Sequence, residues 1–356
     1  MKIEFKRENR PFVVAGPCSA ESEEQMISVA QKLDTSQVDV LRAGIWKPRT
    51  RPDSFEGMGE KGLPWLKQAG ELAGLPVATE VANSDHVEAC LKAGVDILWI
   101  GARTTVNPFS VQEIADSLKG VNIPVVIKNP LNPDLQLWIG AVERLRHAGI
   151  DQLAVLHRGF SFYGKSQYRN KPMWEIPIAM RTQFPEIPML CDPSHINGKR
   201  EGLGVIAQKA IDLGMDGLMI ESHPCPAEAL SDSQQQVIPS ELSRLLKNLT
   251  WRREDVLDPV VISQLGKLRA EVDTLDEEIV RHLAARMELT DDIGKYKKEH
   301  GLTILQLDRW NDIVEIYNKA LQQSDVSPTF IKFFLENLHK ESIRRQTELM
   351  NHVKDQ

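Results

Sequence analysis

Residues 96–103, DILWIGAR, set how this chain is read: Ile97 to Ile100 are apolar, a glycine follows, and Arg103 closes the stretch. A short apolar run bounded by turn residues has the length of a buried strand. The pattern recurs seven more times, at roughly 20–35 residue intervals. FVVA runs into Gly16, Pro17 and Cys18, and VDVL into Arg42, Lys47 and Arg49. PVAT ends at Glu80, PVVI at Lys128, and QLAVL at His157 and Arg158. PMLC leads to Asp192 and His195, and GLMI to Glu221 and His223. Between the runs lie amphipathic helical patterns, as in Glu23 to Leu33, Leu63 to Ala73, Ser84 to Ala93 and Leu203 to Leu213. Eight strand and helix signals in alternation imply a parallel sheet closed into a (β/α)8 barrel, an α/β fold whose chemistry sits at the carboxyl ends of the strands.

The 356 residues exceed one ordinary domain and fit a barrel plus a smaller unit. The expected boundaries are 1–250 for the barrel and 259–356 for the second unit. The first strand, near Phe12, leaves no room for a regulatory domain ahead of it. TWRREDVLDP reads as a linker, and Pro259 suits the first turn of a new helix. Leu265, Leu268, Val272, Leu275, Ile279 and Leu283 then step by three and four, continuing through Leu289 and Ile293 to about Lys298 before Gly301. Helices are also expected from about Leu307 to Gln322 and from Pro328 to His352. A first helix of about 60 Å cannot cover its apolar seam with two shorter ones, so a homodimer through this unit is expected, with a higher homo-oligomer also open.

The net charge of −7 argues against nucleic acid as a partner, and no stretch of about 18 apolar residues could span a membrane. MKIEFKRENR lacks the apolar segment of a secretory signal. Cys18, Cys90, Cys191 and Cys225 show no paired spacing, so a reduced cytoplasm is the expected location.

Cys18, His195, Glu221 and Asp232 are candidate metal ligands. A thiolate, an imidazole and two carboxylates suit a first-row divalent ion such as Mn2+, Fe2+, Co2+ or Zn2+, able to polarise a carbonyl. Each alone fits a blander role: a core cysteine, a loop cap, a salt-bridge partner, a helix N-cap. Convergence on one barrel face reverses that weighting. Arg42, Lys47, Arg49, Arg103, Lys128 and Arg158 form a cation set that would repel itself without anions, and Arg forks match carboxylate and phosphate. Their alternative, a solvated rim paired with Asp and Glu, suits Arg51 or Arg200 better.

The stretches GPCSAES, LRAGIWKPRT, ATEV, IGARTT, VIKN, LHRGFSFY, DPSHINGKR and ESHPCPAEALSD, in this order, closely resemble the short type I 3-deoxy-D-arabino-heptulosonate 7-phosphate synthases. That group is shared with the 3-deoxy-octulosonate 8-phosphate synthases, which carry an Ala-Asn-Arg-Ser type sequence where KPRT stands at Lys47 to Thr50. The resemblance implies a metal-dependent condensation of phosphoenolpyruvate with erythrose 4-phosphate, releasing phosphate. Mn2+ is the favoured ion, with Fe2+, Co2+, Zn2+ or Cd2+ as alternatives. Arg42, Lys47, Arg103, Lys128 and Arg158 would hold phosphoenolpyruvate; Lys47, Pro48, Arg49, Thr50 and Asp232 would hold the aldose phosphate. Lys47 or a metal-bound water would protonate the emerging alkoxide. SDSQQ replaces the usual SDG-x-Q around Asp232.

Residues 260–350, through LRAEVDTLDEEIVRHLAARMELTDDIGKYKKEHG, resemble the all-helical chorismate mutases. The resemblance implies a site of Arg269, Arg286, Lys297, Arg309, Ser342 and Gln346, with Lys297 and Gln346 at the ether oxygen of chorismate. Arg286 and Lys297 lie about three turns apart and face alike. Arg269 lies about 25 Å along the axis from Arg286 and should reach a partner's site. Gln306 and Trp310 replace the family's usual acidic residues. Alternatives are a helical unit that only senses chorismate or prephenate, with prephenate as feedback ligand, and a Schiff-base aldolase using Lys128.

Overall fold

The computed structural model describes residues 3–48, 54–252, 258–305, 315 and 325–351. Eight parallel strands close a barrel in sequence order: β1 (Phe12–Gly16), β2 (Val40–Arg42), β3 (Val77–Val81), β4 (Ile97–Ile100), β5 (Val125–Lys128), β6 (Leu153–His157), β7 (Met189–Cys191) and β8 (Gly217–Glu221). Closure is sealed by β1 against β8, with Phe12 opposite Gly217 and Gly16 opposite Glu221.

Strand side chains alternate in direction, so each strand feeds two cores. Val13, Leu41, Leu98, Ile127 and Val155 pack outward against the surrounding helices. Val14, Val40, Ala78, Trp99, Val126, Leu156, Leu190 and Met219 fill the barrel, with Phe5 joining that inner cluster. The same period of two places the chemistry. Two residues beyond inward-facing Val40, Ala78, Val126, Leu156, Leu190 and Met219 come Arg42, Glu80, Lys128, Arg158, Asp192 and Glu221. The apolar run is therefore the floor, and its next inward position is the mouth.

The surrounding helices include α1 (Glu23–Lys32), α2 (Gly62–Ala73), α3 (Ser84–Lys92), α4 (Ala102–Thr105), α5 (Pro108–Ser117), α6 (Leu135–His147), α7 (Glu175–Gln183), α8 (Pro193–Asn197), α9 (Leu203–Asp212) and α10 (Pro239–Lys247). Ser22 caps α1, Asn83 caps α3 and Asp134 caps α6 by accepting from backbone N–H groups of the first turn. Arg42 forces one glycine: a Cβ on Gly16 would lie 2.1 Å from the Arg42 carbonyl oxygen.

The chain folds as two compact units, Met1–Glu254 and Asp255–Gln356. In the second, α11 (Pro259–Glu299) is 41 residues long with Asp258 as N-cap, and α12 (Pro328–Asn351) packs against it. Met287, Thr290 and Gly294 of α11 and Ser342 and Gln346 of α12 are buried. The amino-terminal half of α11 differs: Leu268, Val272, Leu275 and Ile279 are about half exposed in the single chain. The helix expected over Leu307 to Gln322 lies, apart from residue 315, outside the described residues, as do Gln306, Arg309 and Trp310.

Candidate active sites

Three of the four candidate ligands converge at the barrel mouth. Cys18 Sγ, a Glu221 oxygen and an Asp232 oxygen all lie within 4.8 Å of one another. Cys18 Sγ is 3.4 Å from Asp232 Oδ2, and His195 Nε2 is 3.8 Å from Glu221 Oε1. Each arrives from a different element. Cys18 follows β1, His195 sits in α8, Glu221 ends β8, and Asp232 stands in the loop after β8 in the left-handed region, with φ of 47°. An aspartate tolerates that region better than most side chains.

The electrostatics match a cation site. Burial, with Glu221 and Asp232 nearby, pushes the Cys18 thiol up to about 12. Burial opposes ionisation of Glu221 and Asp232 too, yet His195 with Arg42 for the first, and His195 with Arg169 and Lys47 for the second, hold both below the usual carboxylate range. Burial lowers His195, against the opposing pull of Asp192 and Glu221. His195 Nδ1 faces Asp192 Oδ2 at 2.8 Å, the arrangement that orients a ligating imidazole. The mixed set of thiol, imidazole and two carboxylates suits a first-row divalent ion.

The cations divide by burial. Arg42 is 1% exposed, donating to Glu221 Oε1 at 3.3 Å and to the Cys18 carbonyl at 2.9 Å. Lys128 donates to Asp192 Oδ2 at 3.1 Å. Trp99 lies beneath both, 4.7 Å from the Arg42 guanidinium and 5.5 Å from Lys128 Nζ, and its indole N–H donates to Glu80. Arg42 Nε and Arg158 Nη1 are buried with no hydrogen-bond partner, which in a folded interior points to a ligand acceptor. Burial brings Arg158 down to about 10, with Arg169 and Arg103 adding repulsion. Lys47 is half-buried; its ammonium bears on Cys18, Glu221 and Asp232, and its backbone N–H donates to the Glu56 carbonyl. Arg103, grouped with the buried cations by sequence, is exposed on α4, and Pro48 is half-buried. Arg49, Thr50 and Arg51 lie outside the described residues.

Arg200 departs from the acid-paired rim expected of it. Its Nε donates to the Gln236 carbonyl at 2.7 Å and its Nη2 to the Ser233 carbonyl at 2.8 Å, so it ties down the Asp232 loop. Sequence reasoning placed Asp192 at a strand end without giving it a role, and it passed over Trp99, Arg169, Gln235 and Gln236. Gln236 accepts from Cys18 N at 2.9 Å, and Gln235 donates to Glu221 Oε2 at 2.7 Å. The only signal was the polar run SDSQQQ directly beside Asp232.

In the helical unit, Arg286 Nη1 donates to Ser342 Oγ at 2.8 Å, and Lys297 Nζ to the Ile304 carbonyl at 2.6 Å. Gln346 is buried with an unpartnered Oε1, and a Cβ on Gly294 would meet its Cγ at 3.1 Å. Four of the six expected residues thus lie on the paired stretches of α11 and α12 or just beyond them. Arg269 is exposed on the uncovered half of α11, and Arg309 is outside the described residues.

Residues 2–257 match the family model described as DAHP synthetase I, and residues 268–347 that of chorismate mutase type II. A phospho-2-dehydro-3-deoxyheptonate aldolase of Thermotoga maritima is 34% identical over 225 residues, 63% of this chain and 64% of that relative. A 2-dehydro-3-deoxyphosphooctonate aldolase of Aromatoleum aromaticum is 31% identical over 267 residues, 67% of this chain and 89% of the relative. The crystal structure of the Thermotoga maritima DAHP synthase superposes with a TM-score of 0.61 at 31% identity, covering 67% of this chain and 68% of that one. A truncated form of that synthase gives 0.58 at 28% identity, over 67% and 85% of the respective chains. The match to the first relative spans just under two thirds of its length, and the barrel is what they share. With a family model covering well over half its length, the chain belongs to the DAHP synthetase I family, and it carries a chorismate mutase type II domain behind the barrel.

Proposed function

We propose that the barrel condenses phosphoenolpyruvate with erythrose 4-phosphate to give 3-deoxy-D-arabino-heptulosonate 7-phosphate and phosphate. The observation that carries this is one mouth combining a metal-type donor set with buried, under-bonded cations. Cys18, His195, Glu221 and Asp232 would hold a divalent ion, Mn2+ being the favoured one. When bound, such an ion supplies Lewis acidity that polarises the aldehyde oxygen.

The chain's own residues do the rest. Arg42 and Arg158, through the buried donors they leave unpaired, bind the phosphate and carboxylate of phosphoenolpyruvate together with Lys128, and Arg103 stands at the rim. Trp99 braces Arg42 and Lys128 from below, so the enolate face is presented in one orientation. Lys47, Pro48, Arg49 and Thr50 hold the aldose phosphate, with Asp232 at the chain's other end. Lys47 Nζ gives its proton to the oxygen that was the aldehyde as C3 of phosphoenolpyruvate attacks. Water then adds at C2, and the C–O bond to phosphate breaks. A Schiff-base route through Lys128 fits poorly, because its ammonium is committed to Asp192 and Trp99.

The helical unit is assigned the rearrangement of chorismate to prephenate. That reaction needs the diaxial conformer held and charge on the ether oxygen met by Lys297 and Gln346, without acid, base or nucleophile. Arg286, with Arg309 and Ser342, grips one carboxylate end, and Arg269 of the partner subunit the other. The exposed seam of α11 supports the homodimer this requires. Prephenate is the expected feedback ligand. All four cysteines are free thiols, in keeping with a cytoplasmic enzyme acting on small molecules.

Loss of phosphoenolpyruvate absorbance with erythrose 4-phosphate, abolished by chelator and restored by Mn2+, tests the synthase. Equal or faster turnover with a five-carbon aldose phosphate would favour the octulosonate reaction instead. Chorismate consumption by the full chain separates a working mutase from a sensing module.

A further inference from the structure

We propose that Arg169 and Gln235 form a positioning bridge that makes Asp232 and Glu221 one-oxygen ligands, each with a single oxygen turned to the shared centre. This rests on the metal site proposed above. Arg169 Nη1 donates to Asp232 Oδ1 at 3.0 Å and to Gln235 Oε1 at 2.6 Å. Gln235 Nε2 then donates to Glu221 Oε2 at 2.7 Å. The orientation of the Gln235 amide follows from chemistry: a guanidinium only donates and a carboxylate only accepts, so one flip alone satisfies both ends.

The bridge consumes one oxygen of each acid, and the remaining oxygens are the ones that face the other ligands. Asp232 Oδ2 is 3.4 Å from Cys18 Sγ, and Glu221 Oε1 is 3.8 Å from His195 Nε2. Two carboxylates that could each bind an ion through both oxygens are thereby limited to one apiece. Four protein donors and open positions remain, a set for a small first-row ion rather than for Ca2+, which takes six to eight oxygens.

The bridge is itself held in place. Arg169 N donates to the Asn197 carbonyl, Asn170 N to the Ile196 carbonyl, and Asn170 Nδ2 to the His195 carbonyl. These bonds lash the loop after β6 to the helix that carries His195. Gly198, with φ of 76°, makes room for the arginine stem, since a Cβ there would lie 2.5 Å from Arg169 Cβ. Gln235 is fully buried, and its neighbour Gln236 holds the Cys18 N–H. One buried pair of glutamines therefore fixes ligands that arrive from opposite ends of the barrel sequence.

The test is anaerobic titration of the metal-free full chain with Co2+, read by the thiolate-to-cobalt absorption band and by chelator competition. Arg169→Met and Gln235→Leu are expected to weaken binding about 10–100-fold, the usual cost of losing a group that orients a metal ligand, and to alter the band. Arg169→Lys, which keeps a cationic donor, should recover most of the affinity. The double variant should be little worse than the worse single one, because both act through one bridge. Thermal transitions of the metal-free variants are compared alongside; Arg169, with 44% of its side chain exposed, is the substitution the fold tolerates best. A wild-type band with both single variants binding Co2+ unchanged overturns the bridge alone. Absence of any thiolate band in wild type overturns the ligand set, and the bridge with it.

Discussion

The barrel mouth and the helical unit both gather cations, but in opposite ways. At the mouth, Arg42, Lys128, Glu221 and Asp192 are all nearly or fully buried, and each is matched by an opposite charge within the same chain. In the helical unit Arg286, Ser342 and Gln346 come together, while Arg269 and the seam from Leu268 to Ile279 stand exposed. A closed barrel has no edges and completes its site by closure. Among the described residues, α12 packs along one stretch of the 41-residue α11, and the seam from Leu268 to Ile279 stands exposed. The lesson is that the barrel gathers its charges by folding alone, while the helical unit leaves Arg269 and an apolar seam exposed in the single chain.

The strongest way to break this comparison is at Cys18. Cys18→Ala should weaken metal binding more than about 100-fold, beyond the cost of losing an orienting group, and abolish phosphoenolpyruvate consumption. Equilibrium dialysis with Mn2+ and the phosphoenolpyruvate assay check it; retained binding would remove the thiol from the site. Next, Leu268→Glu combined with Leu275→Glu places charge on the α11 seam. The chain should lose the dimer proposed for this seam and with it chorismate consumption, while phosphoenolpyruvate consumption persists. Sedimentation velocity and both assays decide; full mutase activity in a chain whose seam no longer pairs would show that Arg269 is not supplied in trans. Lys297→Met should lower mutase kcat about 10²–10³-fold, the range for removing one donor to developing charge.

The smallest effect sharpens the comparison from the barrel side. Burial and then Arg158 bring His157 down to about 3 in the fold, against about 6.5 when unfolded. Below pH 6.5 the unfolded chain therefore takes up a proton the folded one refuses, so stability falls as pH drops from there toward 3. At pH 5 the loss from this group is about 2 kcal/mol relative to pH 7. His157→Gln should flatten the decline, read from urea midpoints by tryptophan fluorescence at the two pH values. An unchanged slope would assign the acid sensitivity elsewhere.

Much of this was legible in the residues. Runs such as DILWIGAR and QLAVLHR show strand length, and a charge beyond an apolar run marks a barrel's carboxyl end. The period of α11 and its start at Pro259 were equally plain. What stayed hidden were residues that act by touching side chains remote in sequence. Nothing near Arg169 signals that it meets Asp232, 63 positions on, nor does the glutamine run reveal which member faces Glu221. Arg200 looked like an ordinary surface charge because its partners are backbone carbonyls, which no composition displays. Trp99 reads as one more apolar strand residue until Arg42 and Lys128 are seen above it.

The sequence by itself determined the order of strands and helices, the change of grammar near residue 259, and the residue types available for a cation and two anions. Local periodicity and chain chemistry suffice for those, since each depends on neighbours a few positions apart. Only the tertiary structure decided which oxygen of each acid faces the centre, which cations are buried and under-bonded, and which stripe of α11 lies uncovered. Those depend on barrel closure and helix packing, which bring together groups as far apart in sequence as Cys18 N and Gln236, 218 residues from one another.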